Sequence, residues 1–226
     1  MGKYIFLLDS GHGGMVDGKY QTSTKWWKRA YFKDGKLLNP DEHTLEWLEI
    51  NNDLKYYEGV GNRDIVKRVM RLCDIHSIKY YDILEGSELD VSLSTRVRRA
   101  NTYYKNSKNC IYLSVHSNAF TKESAQGFSV YTTPGFTNSD KIAPIIFKEM
   151  AIEFADHKPR KDEVDGDVDK EANFYVLKHT SMPAILSENL FYTNYRECKI
   201  LSSEEGRQRI AEAHFKGIIY IEKNGY

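Results

Sequence analysis

The chain has 226 residues, 41% of them hydrophobic, which is enough for one α/β domain with a sizeable core. Its 32 basic and 32 acidic side chains cancel, which excludes the broad positive surface of a protein that binds nucleic acid or anionic membranes. The three cysteines form no Cys-x-x-Cys pair, so we expect small buried side chains and no disulfide. No apolar run approaches the roughly 18 residues of a membrane span. Since residues 1–3 lead directly into a strand, we expect synthesis in a reducing cytoplasm without a signal peptide, or a domain separated from its export signal.

The first strand is predicted at residues 5–8, where four apolar side chains follow one another without helical periodicity. Asp9 and Ser10 end this run, and His12 follows between glycines, which allow a sharp turn and the close approach of a ligand. Ligands of open α/β sheets bind beyond the carboxyl ends of the strands. His12 is therefore a candidate metal ligand or acid–base group, and a solvated histidine in a glycine-rich turn fits this stretch equally well.

Residues 15–57 form an irregular segment that is rich in aromatic and charged side chains. Asp34-Gly35 lies between two strand-like runs and predicts a β-hairpin. The aromatic side chains either pack this segment onto the body of the protein or line a groove, and packing is the favoured interpretation. They are Trp26, Trp27, Tyr31, Phe32, Trp47, Tyr56 and Tyr57.

A helix is predicted over residues 62–76 because apolar residues recur there at helical spacing, and a β-prone strand follows over residues 79–84. Such a helix is the usual crossover between parallel strands. It places Glu58 near the start of the helix, at the edge of the sheet where His12 emerges. Glu58 is a candidate ligand there, and its alternative role is that of a carboxylate at the positive end of the helix dipole.

A second histidine follows a second apolar strand. A helix over residues 90–105 carries Arg96 on a solvated or buttressing face, and the strand over residues 110–115 ends in His116. A single strand-end histidine is more often a hydrogen-bonded core residue. Two of them at the ends of parallel strands converge on one edge of the sheet, and together with Glu58 they favour a metal site.

The next part of the chain predicts a strand over residues 127–133 and a helix over residues 139–156 that is capped by Asn138 or Ser139. Residues 157–171 are charged and poor in apolar side chains, so we expect a mobile surface loop. This loop contains three alternating aspartates, Asp165, Asp167 and Asp169. They do not match a calcium-binding loop, because no glycine or bidentate glutamate falls in register.

The last strand is predicted from the strand-like segments 173–177 and 182–187, which lead to Glu188. Glu188 is thus a fourth polar side chain delivered to the same edge of the sheet. A final helix is predicted to open with Ser202 and Glu205, which have the spacing of a capping box.

Two histidines and one glutamate form a known three-ligand set for catalytic zinc, which leaves one position open for water. Zinc lowers the pKa of that water and polarises a carbonyl group. A separate carboxylate then acts as a general base on the water and protonates the leaving nitrogen, and Glu188 is free for this role. Asp9 either orients His12 or only ends its strand. His214 is assigned to a packed helix face, and the other weaker ligand candidates are His43, His76, His157 and His179.

Five segments of the chain resemble motifs of one family, the zinc-dependent N-acetylmuramoyl-L-alanine amidases of the amidase_3 type. They are LLDSGHGG, YEGVGN, SLSTRVRRAN, LSVHSNA and MPAILSENLFYTN, in the order of the family and along nearly the whole chain. The resemblance implies a single three-layer α/β domain over residues 1–226, with a twisted, mostly parallel six-stranded sheet and helices on both faces. It also implies one Zn²⁺ per chain, held by His12, Glu58 and His116, with Glu188 as the catalytic carboxylate. The implied reaction is hydrolysis of the amide between the lactyl group of N-acetylmuramic acid and L-alanine in peptidoglycan.

Two features depart from the pattern of the family. Ser10 replaces the usual proline of DPGHGG, which changes the stiffness of the turn and not the chemistry. Residues 15–57 form an aromatic-rich insertion, and we expect it to shape one wall of the substrate groove. Glu58 is preferred as the third ligand because the helix pattern follows it directly. The insertion supplies three alternative ligands, Glu42, Glu46 and Glu49. The candidates for orienting the ligands or lining the groove are Asp9, Arg96 and Asn118.

The resemblance implies peptidoglycan as the substrate, no nucleic-acid or membrane partner, and a monomer. A catalytic domain without a wall-binding repeat or a regulatory helix resembles a phage endolysin, which is made in the cytoplasm and acts on the bacterial cell wall. Two rival functions are a zinc peptidase that cleaves within the stem peptide and a peptidoglycan-binding module that has lost catalysis. A structural α/β protein with incidental histidines is the least favoured interpretation.

Overall fold

The computed structural model describes residues 2–22, 28–39, 41–162 and 167–226. Its centre is a six-stranded sheet. Across the sheet the strands follow the order β10 (Lys170–Glu171), β9 (Ser129–Thr132), β11 (Ala184–Phe191), β8 (Cys110–Asn118), β1 (Ile5–Ser10) and β7 (Lys79–Asp82). Neighbouring strands are parallel except for β9 and β11, which are antiparallel. The predicted mostly parallel, six-stranded sheet is confirmed.

Helices cover both faces of this sheet, as predicted. One face carries α2 (Glu58–Ile75), α4 (Ser139–Glu153), α6 (Tyr195–Ser202) and α7 (Glu204–Asn224). The other face carries α3 (Leu93–Asn106) and α5 (Tyr175–His179). Within the described ranges, no helix combines the length and the apolar character needed to cross a bilayer.

Strand β1 shows why its sequence is an unbroken apolar run. It pairs in parallel with β7 on one side and β8 on the other, and its side chains alternate between two cores. Phe6 and Leu8 pack into the larger core under α2, whereas Leu7 packs into the core under α3. Burial of each side chain contributes roughly 1.5–3 kcal/mol. A strand covered on both faces therefore needs apolar residues at successive positions.

The described residues of the segment 15–57 fold into small elements outside the main sheet. These are β2 (Met15–Val16), β3 (Lys19–Tyr20), β4 (Arg29–Lys33), β5 (Lys36–Leu37), α1 (Leu45–Ile50) and β6 (Leu54–Tyr57). Strands β5, β4 and β6 form an antiparallel sheet. Asp34 and Gly35 connect β4 to β5 with φ values of 50° and 77°, as a tight hairpin turn with two left-handed residues requires. The predicted hairpin is confirmed.

The aromatic side chains of this segment mainly pack. Tyr31, Phe32 and Tyr56 are buried, and Phe32 and Tyr56 belong to the larger core of the protein. Trp47, on α1, is more exposed and stacks on His43 with ring centroids 3.9 Å apart. The packing interpretation therefore holds for the three buried aromatic residues. Trp26 and Trp27 lie outside the described residues.

Two predicted loop and strand segments differ from the structure. Residues 173–177 were expected to extend the last strand, but helix α5 begins at Tyr175. Val176 and Leu177 are buried against the core under α3, so tertiary packing overrides the β propensity of these residues. Residues 157–171 were expected to be a loop throughout, but strand β10 forms at their end and pairs with β9.

The helix starts also differ by a few residues. Helix α2 begins at Glu58 and not at residue 62. The capping box of Ser202 and Glu205 is wrong, because the cap of α7 is Ser203, whose side chain accepts a hydrogen bond from the backbone nitrogen of Gly206 at 2.9 Å. Such one-residue shifts follow from the break between α6 and α7, which the sequence pattern does not mark.

Candidate metal centre

The carboxyl ends of β1, β8 and β11 meet at one edge of the sheet. His12 follows β1 directly, and His116 lies near the end of β8. Glu188 pairs with His116 in the register of β11 against β8. All three line a cavity of about 450 Å³. The structure thus brings together the polar residues that follow the apolar runs in the sequence.

Glu58 completes a cluster that could hold a metal ion. As the first residue of α2, it is fully buried. Its Oε1 lies 3.2 Å from Nε2 of His12 and 3.2 Å from Nδ1 of His116. Donor atoms from the three residues all lie within 4.8 Å of one another. Among the described residues, the alternative glutamates do not belong to this cluster: Glu42, Glu46 and Glu49.

His12 and Glu58 favour the protonation states that a metal requires. Burial lowers the pKa of His12, which favours the neutral imidazole. Burial opposes the ionisation of Glu58, but its close contacts with His12 and His116 lower the pKa of Glu58 well below its usual range. Nε2 of His12 is buried and has no hydrogen bond of acceptable geometry within the part of the chain that the structure describes. Two imidazoles, one carboxylate and an unsatisfied ring nitrogen fit a metal ion.

The glycine-rich loop after β1 makes room for this cluster. A Cβ atom on Gly11 would lie 2.1 Å from the ring of His116, so a larger residue would displace that ring. His12 itself has a positive φ of 66°, which is uncommon for a residue with a side chain and points its ring toward His116. The two rings are 5.0 Å apart and perpendicular. The Gly-His-Gly sequence therefore serves the close approach of the two histidines.

Asp9 and Arg96 form a buried ion pair beneath the loop. The carboxylate of Asp9 accepts hydrogen bonds from Arg96, from the hydroxyl of Tyr112 at 2.7 Å and from that of Ser114 at 2.8 Å. Arg96 also donates to the carbonyl oxygen of His12 at 3.0 Å. Asp9 thus supports the backbone of His12 through Arg96. Arg96 is predicted to lie either in solvent or against the fold as a support, and the structure shows the supporting, buried position.

Two further residues near the loop differ from expectation. Asn118 does not line the cavity, and its side-chain oxygen accepts a hydrogen bond from the backbone nitrogen of Ala119 at 2.8 Å. Arg63, which the sequence analysis does not single out, donates to the carbonyl oxygen of His12 at 2.6 Å. Arg63 lies on the first turns of α2, so the helix that carries Glu58 also holds the loop that carries His12.

Glu188 faces the same cavity with a different protonation preference. Desolvation of its carboxylate raises its pKa to about 7, although nearby His116 opposes this shift. Its Oε2 is shielded from solvent and has no hydrogen-bond partner among the residues described. A carboxylate with a pKa near neutrality can accept a proton and return it, which is what a general base and acid requires.

Two contacts to Glu58 were missed by sequence reasoning. Its Oε2 lies 3.1 Å from Nζ of Lys28 and accepts a hydrogen bond from the hydroxyl of Tyr192 at 3.3 Å. Tyr192 belongs to the motif around Glu188, and this proximity in sequence is a weak signal for its place in the site. Lys28 belongs to the insertion, and no local pattern marks it.

The remaining histidines do not join the cluster. His214 is fully buried, with its ring nitrogens 2.8 Å from Ser187 Oγ and 2.8 Å from the carbonyl oxygen of Ile210, which confirms its packed position. Each of the weaker candidates has other neighbours, namely Trp47 for His43, Phe215 for His76, Glu197 for His157 and Tyr175 for His179.

A second group of acidic side chains lies toward the opposite edge of the sheet. It contains Asp140, Asp167 and Asp169, and one oxygen from each lies within 4.8 Å of the others. Thr132 donates hydrogen bonds to Asp169 at 2.6 Å and to Asp140 at 3.3 Å. The chain fold, and not a linear loop motif, assembles this group, which is separate from the cavity of the candidate site.

Two histidines and a glutamate at the open edge of a mostly parallel sheet define a candidate metal-dependent hydrolase. The family described as N-acetylmuramoyl-L-alanine amidase (Amidase_3) matches residues 49–220 of the chain. The chain therefore belongs to this family, as the motif resemblance predicts. The matched range includes Glu58, His116 and Glu188, whereas His12 lies before it.

Curated relatives and a solved structure agree with this assignment. The endolysin of Bacillus phage SPP1 is 28% identical over 186 residues, which cover 78% of this chain and 65% of the relative. The N-acetylmuramoyl-L-alanine amidase CwlM of Bacillus licheniformis is 33% identical over 132 residues, which cover 58% of this chain and 47% of the relative. The chain thus matches less than two thirds of the length of either relative. The crystal structure of an N-acetylmuramoyl-L-alanine amidase from Clostridium difficile 630 has the same fold, with a TM-score of 0.69, 23% identity and 100% coverage of both chains.

Proposed function

We propose that this protein is a zinc-dependent N-acetylmuramoyl-L-alanine amidase. It hydrolyses the amide between the lactyl group of N-acetylmuramic acid and L-alanine in peptidoglycan. The observation that carries this proposal is the cluster of His12, Glu58 and His116, whose two histidines line one cavity together with Glu188. Membership of the amidase family supports this choice of the bond that is cleaved. The donor set of two nitrogens and one oxygen supports zinc over the hard cations, which prefer oxygen ligands.

Three donor atoms would hold one zinc ion per chain, namely Nε2 of His12, Oε1 of Glu58 and Nδ1 of His116. When bound, zinc supplies a water of lowered pKa and polarises the substrate carbonyl. The chain prepares the site by burying the carboxylate of Glu58, by keeping His12 neutral and by fixing the backbone of His12 through Arg63 and Arg96. Such a site needs little rearrangement to accept the metal.

Glu188 acts as the catalytic carboxylate. Its oxygen takes a proton from the attacking water, whose oxygen forms the new bond to the lactyl carbonyl carbon. Glu188 then returns the proton to the nitrogen of L-alanine as the carbon–nitrogen bond breaks. Burial raises the pKa of Glu188 above the usual range of a carboxyl group, which favours its acceptance of a proton from the water.

The cavity around these residues has walls of different character. Leu93, Phe174 and Val176 supply an apolar wall, and Lys28 from the insertion lies on the side of Glu58. Its volume of about 450 Å³ lies within the usual range for a small-molecule site. We therefore infer that residues 15–57 contribute to the substrate groove through Lys28. We also propose that the protein acts as a monomer on the bacterial cell wall.

The proposal is tested by product analysis on purified peptidoglycan. The wild type should release dye-labelled fragments and expose N-terminal L-alanine, while the lactyl-muramic sugar stays intact. Glu188→Gln should lower kcat by at least about 100-fold with zinc content retained, because general acid–base catalysis contributes 10²–10⁴-fold. Glu205→Gln, an exposed position on α7, is the matched control and should behave as the wild type.

The products separate the amidase from its rivals. A zinc peptidase would expose amino groups of other stem-peptide residues and leave the lactyl–alanine amide uncut. A binding module would sediment with peptidoglycan and retain zinc, yet release no fragments from any wall type. Either result would replace the amidase proposal.

A further inference from the structure

The insertion delivers a lysine to the candidate metal centre. Strand β4 pairs antiparallel with β6, with Arg29 opposite Tyr57. Lys28 directly precedes β4 and Glu58 directly follows β6, so the pairing of the two strands brings the lysine next to the glutamate. The Nζ atom of Lys28 lies 3.1 Å from Oε2 of Glu58, and the side chains of these residues are 27% and 1% exposed.

The backbone of Lys28 is tied to the start of α2. Its carbonyl oxygen accepts a hydrogen bond from the hydroxyl of Tyr20 at 3.1 Å. The same hydroxyl accepts a hydrogen bond from the backbone nitrogen of Gly59 at 3.0 Å. Tyr20 therefore bridges Lys28 to the residue that follows Glu58. A surface ion pair between mobile side chains lacks such an anchor.

The two oxygens of Glu58 have different neighbours. Oε1 faces the donor nitrogens of His12 and His116, each at 3.2 Å. Oε2 faces the ammonium group of Lys28 at 3.1 Å and the hydroxyl of Tyr192 at 3.3 Å. One oxygen is thus directed to the candidate metal position, and the other is engaged by two donors.

We propose that Lys28 is a positioning residue that keeps Glu58 a one-oxygen ligand of the metal. Lys28 and Tyr192 both bind Oε2 of Glu58, which leaves only Oε1 for the ion. The coordination position needed by water therefore stays open. This inference rests on the proposed metal site. It gives the insertion a chemical role, because Lys28 lies within residues 15–57 and brings an ammonium group to Glu58.

Lys28 also opposes metal binding. An ammonium group on Oε2 and a divalent cation on Oε1 share one carboxylate, so each weakens the binding of the other. In the metal-free protein the same ammonium group compensates the buried charge of Glu58. Loss of Lys28 should therefore destabilise the metal-free protein and strengthen zinc binding, two effects that a purely structural role would not produce together.

The test compares the wild type, Lys28→Met and Lys28→Arg, with Lys33→Met as a control at the exposed end of β4, the strand that follows Lys28. Zinc affinity is measured by competition with a chelating dye, and coordination by the visible spectrum of the cobalt-substituted protein. Lys28→Met should bind zinc about tenfold more tightly, because the ammonium group no longer competes with the metal for the carboxylate. Its cobalt absorption should weaken, as expected when Glu58 binds through both oxygens and the coordination number rises from four to five. Lys28→Arg should restore the wild-type spectrum.

Melting temperatures and turnover complete the test. Metal-free Lys28→Met should melt below the wild type, and zinc should raise its melting temperature by more than it raises that of the wild type. Its kcat should fall about tenfold with KM little changed, since the water position is obstructed and the substrate contacts are not. Tyr192→Phe, which removes the other donor to Oε2, should change the cobalt spectrum in the same direction.

An unchanged cobalt spectrum and zinc affinity in Lys28→Met would overturn the role of Lys28. If Lys28→Met fails to fold, Tyr192→Phe provides the test. An unchanged cobalt spectrum and weaker zinc binding in Tyr192→Phe would show that donors to Oε2 do not keep this oxygen away from the metal. These failures differ from failure of the proposed function, in which the wild type itself binds no zinc or releases no N-terminal L-alanine.

Discussion

Replacing Arg96 with methionine should remove a large part of the stability of the protein. Arg96 and Asp9 are 2% and 1% exposed, so the variant leaves the charge of Asp9 buried without its cation. Removal of one partner of a buried ion pair costs about 3–5 kcal/mol. The total free energy of unfolding of a domain is about 5–15 kcal/mol. Because 1 kcal/mol shifts the melting temperature of a domain of this size by about 2–4 °C, the expected decrease is on the order of 10 °C.

The assay is urea unfolding of the metal-free protein, with Arg98→Met as the control. Arg98 lies two residues further along the same helix, but its side chain is exposed, so the control should change stability by no more than about 0.5 kcal/mol. The double variant Asp9→Asn with Arg96→Met removes both charges and should lose less than the sum of the single variants. If Arg96→Met costs as little as Arg98→Met, the buried pair does not support the His12 loop as described.

Two further perturbations test the surroundings of the site. Burial lowers the pKa of His214 to about 4. Between about pH 6.5 and 4 the unfolded chain therefore binds a proton that the folded chain excludes. The free energy of unfolding should fall as the pH falls through this window, by about 2 kcal/mol from pH 6.5 to 5. Urea unfolding of His214→Gln should show a shallower pH dependence than the wild type, and equal slopes would contradict this assignment. Gly11→Ala should lose bound zinc on dialysis, because its Cβ would lie 2.1 Å from the ring of His116; full zinc retention would show that the ring can move without cost.

The sequence predicts the main sheet and the place of the site because both depend on short-range patterns. The apolar runs before Asp9 and His116 mark strands that are buried on two faces, and parallel strands end at one edge by geometry. Glu58 could be placed because a crossover helix must start near that edge. These features need only the order of the elements along the chain.

The parts that sequence reasoning missed depend on contacts between distant segments. Lys28 reaches Glu58 through the register of β4 against β6, which a single sequence does not encode locally. Helix α5 contains β-prone residues, but burial of Val176 and Leu177 against the core under α3 selects a helical turn. The acidic group of Asp140 with Asp167 likewise joins residues from separate elements. Local propensity carries little information about such pairings.

The most direct test of the central claim is zinc stoichiometry measured on the purified protein after exhaustive dialysis. The wild type should retain one zinc ion per chain, whereas His12→Ala and His116→Ala should retain almost none. His179→Ala, an exposed histidine at the end of α5, should retain the same zinc as the wild type. A wild type that binds no zinc, or a His12→Ala variant that binds zinc as tightly as the wild type, would contradict the metal centre of His12, Glu58 and His116.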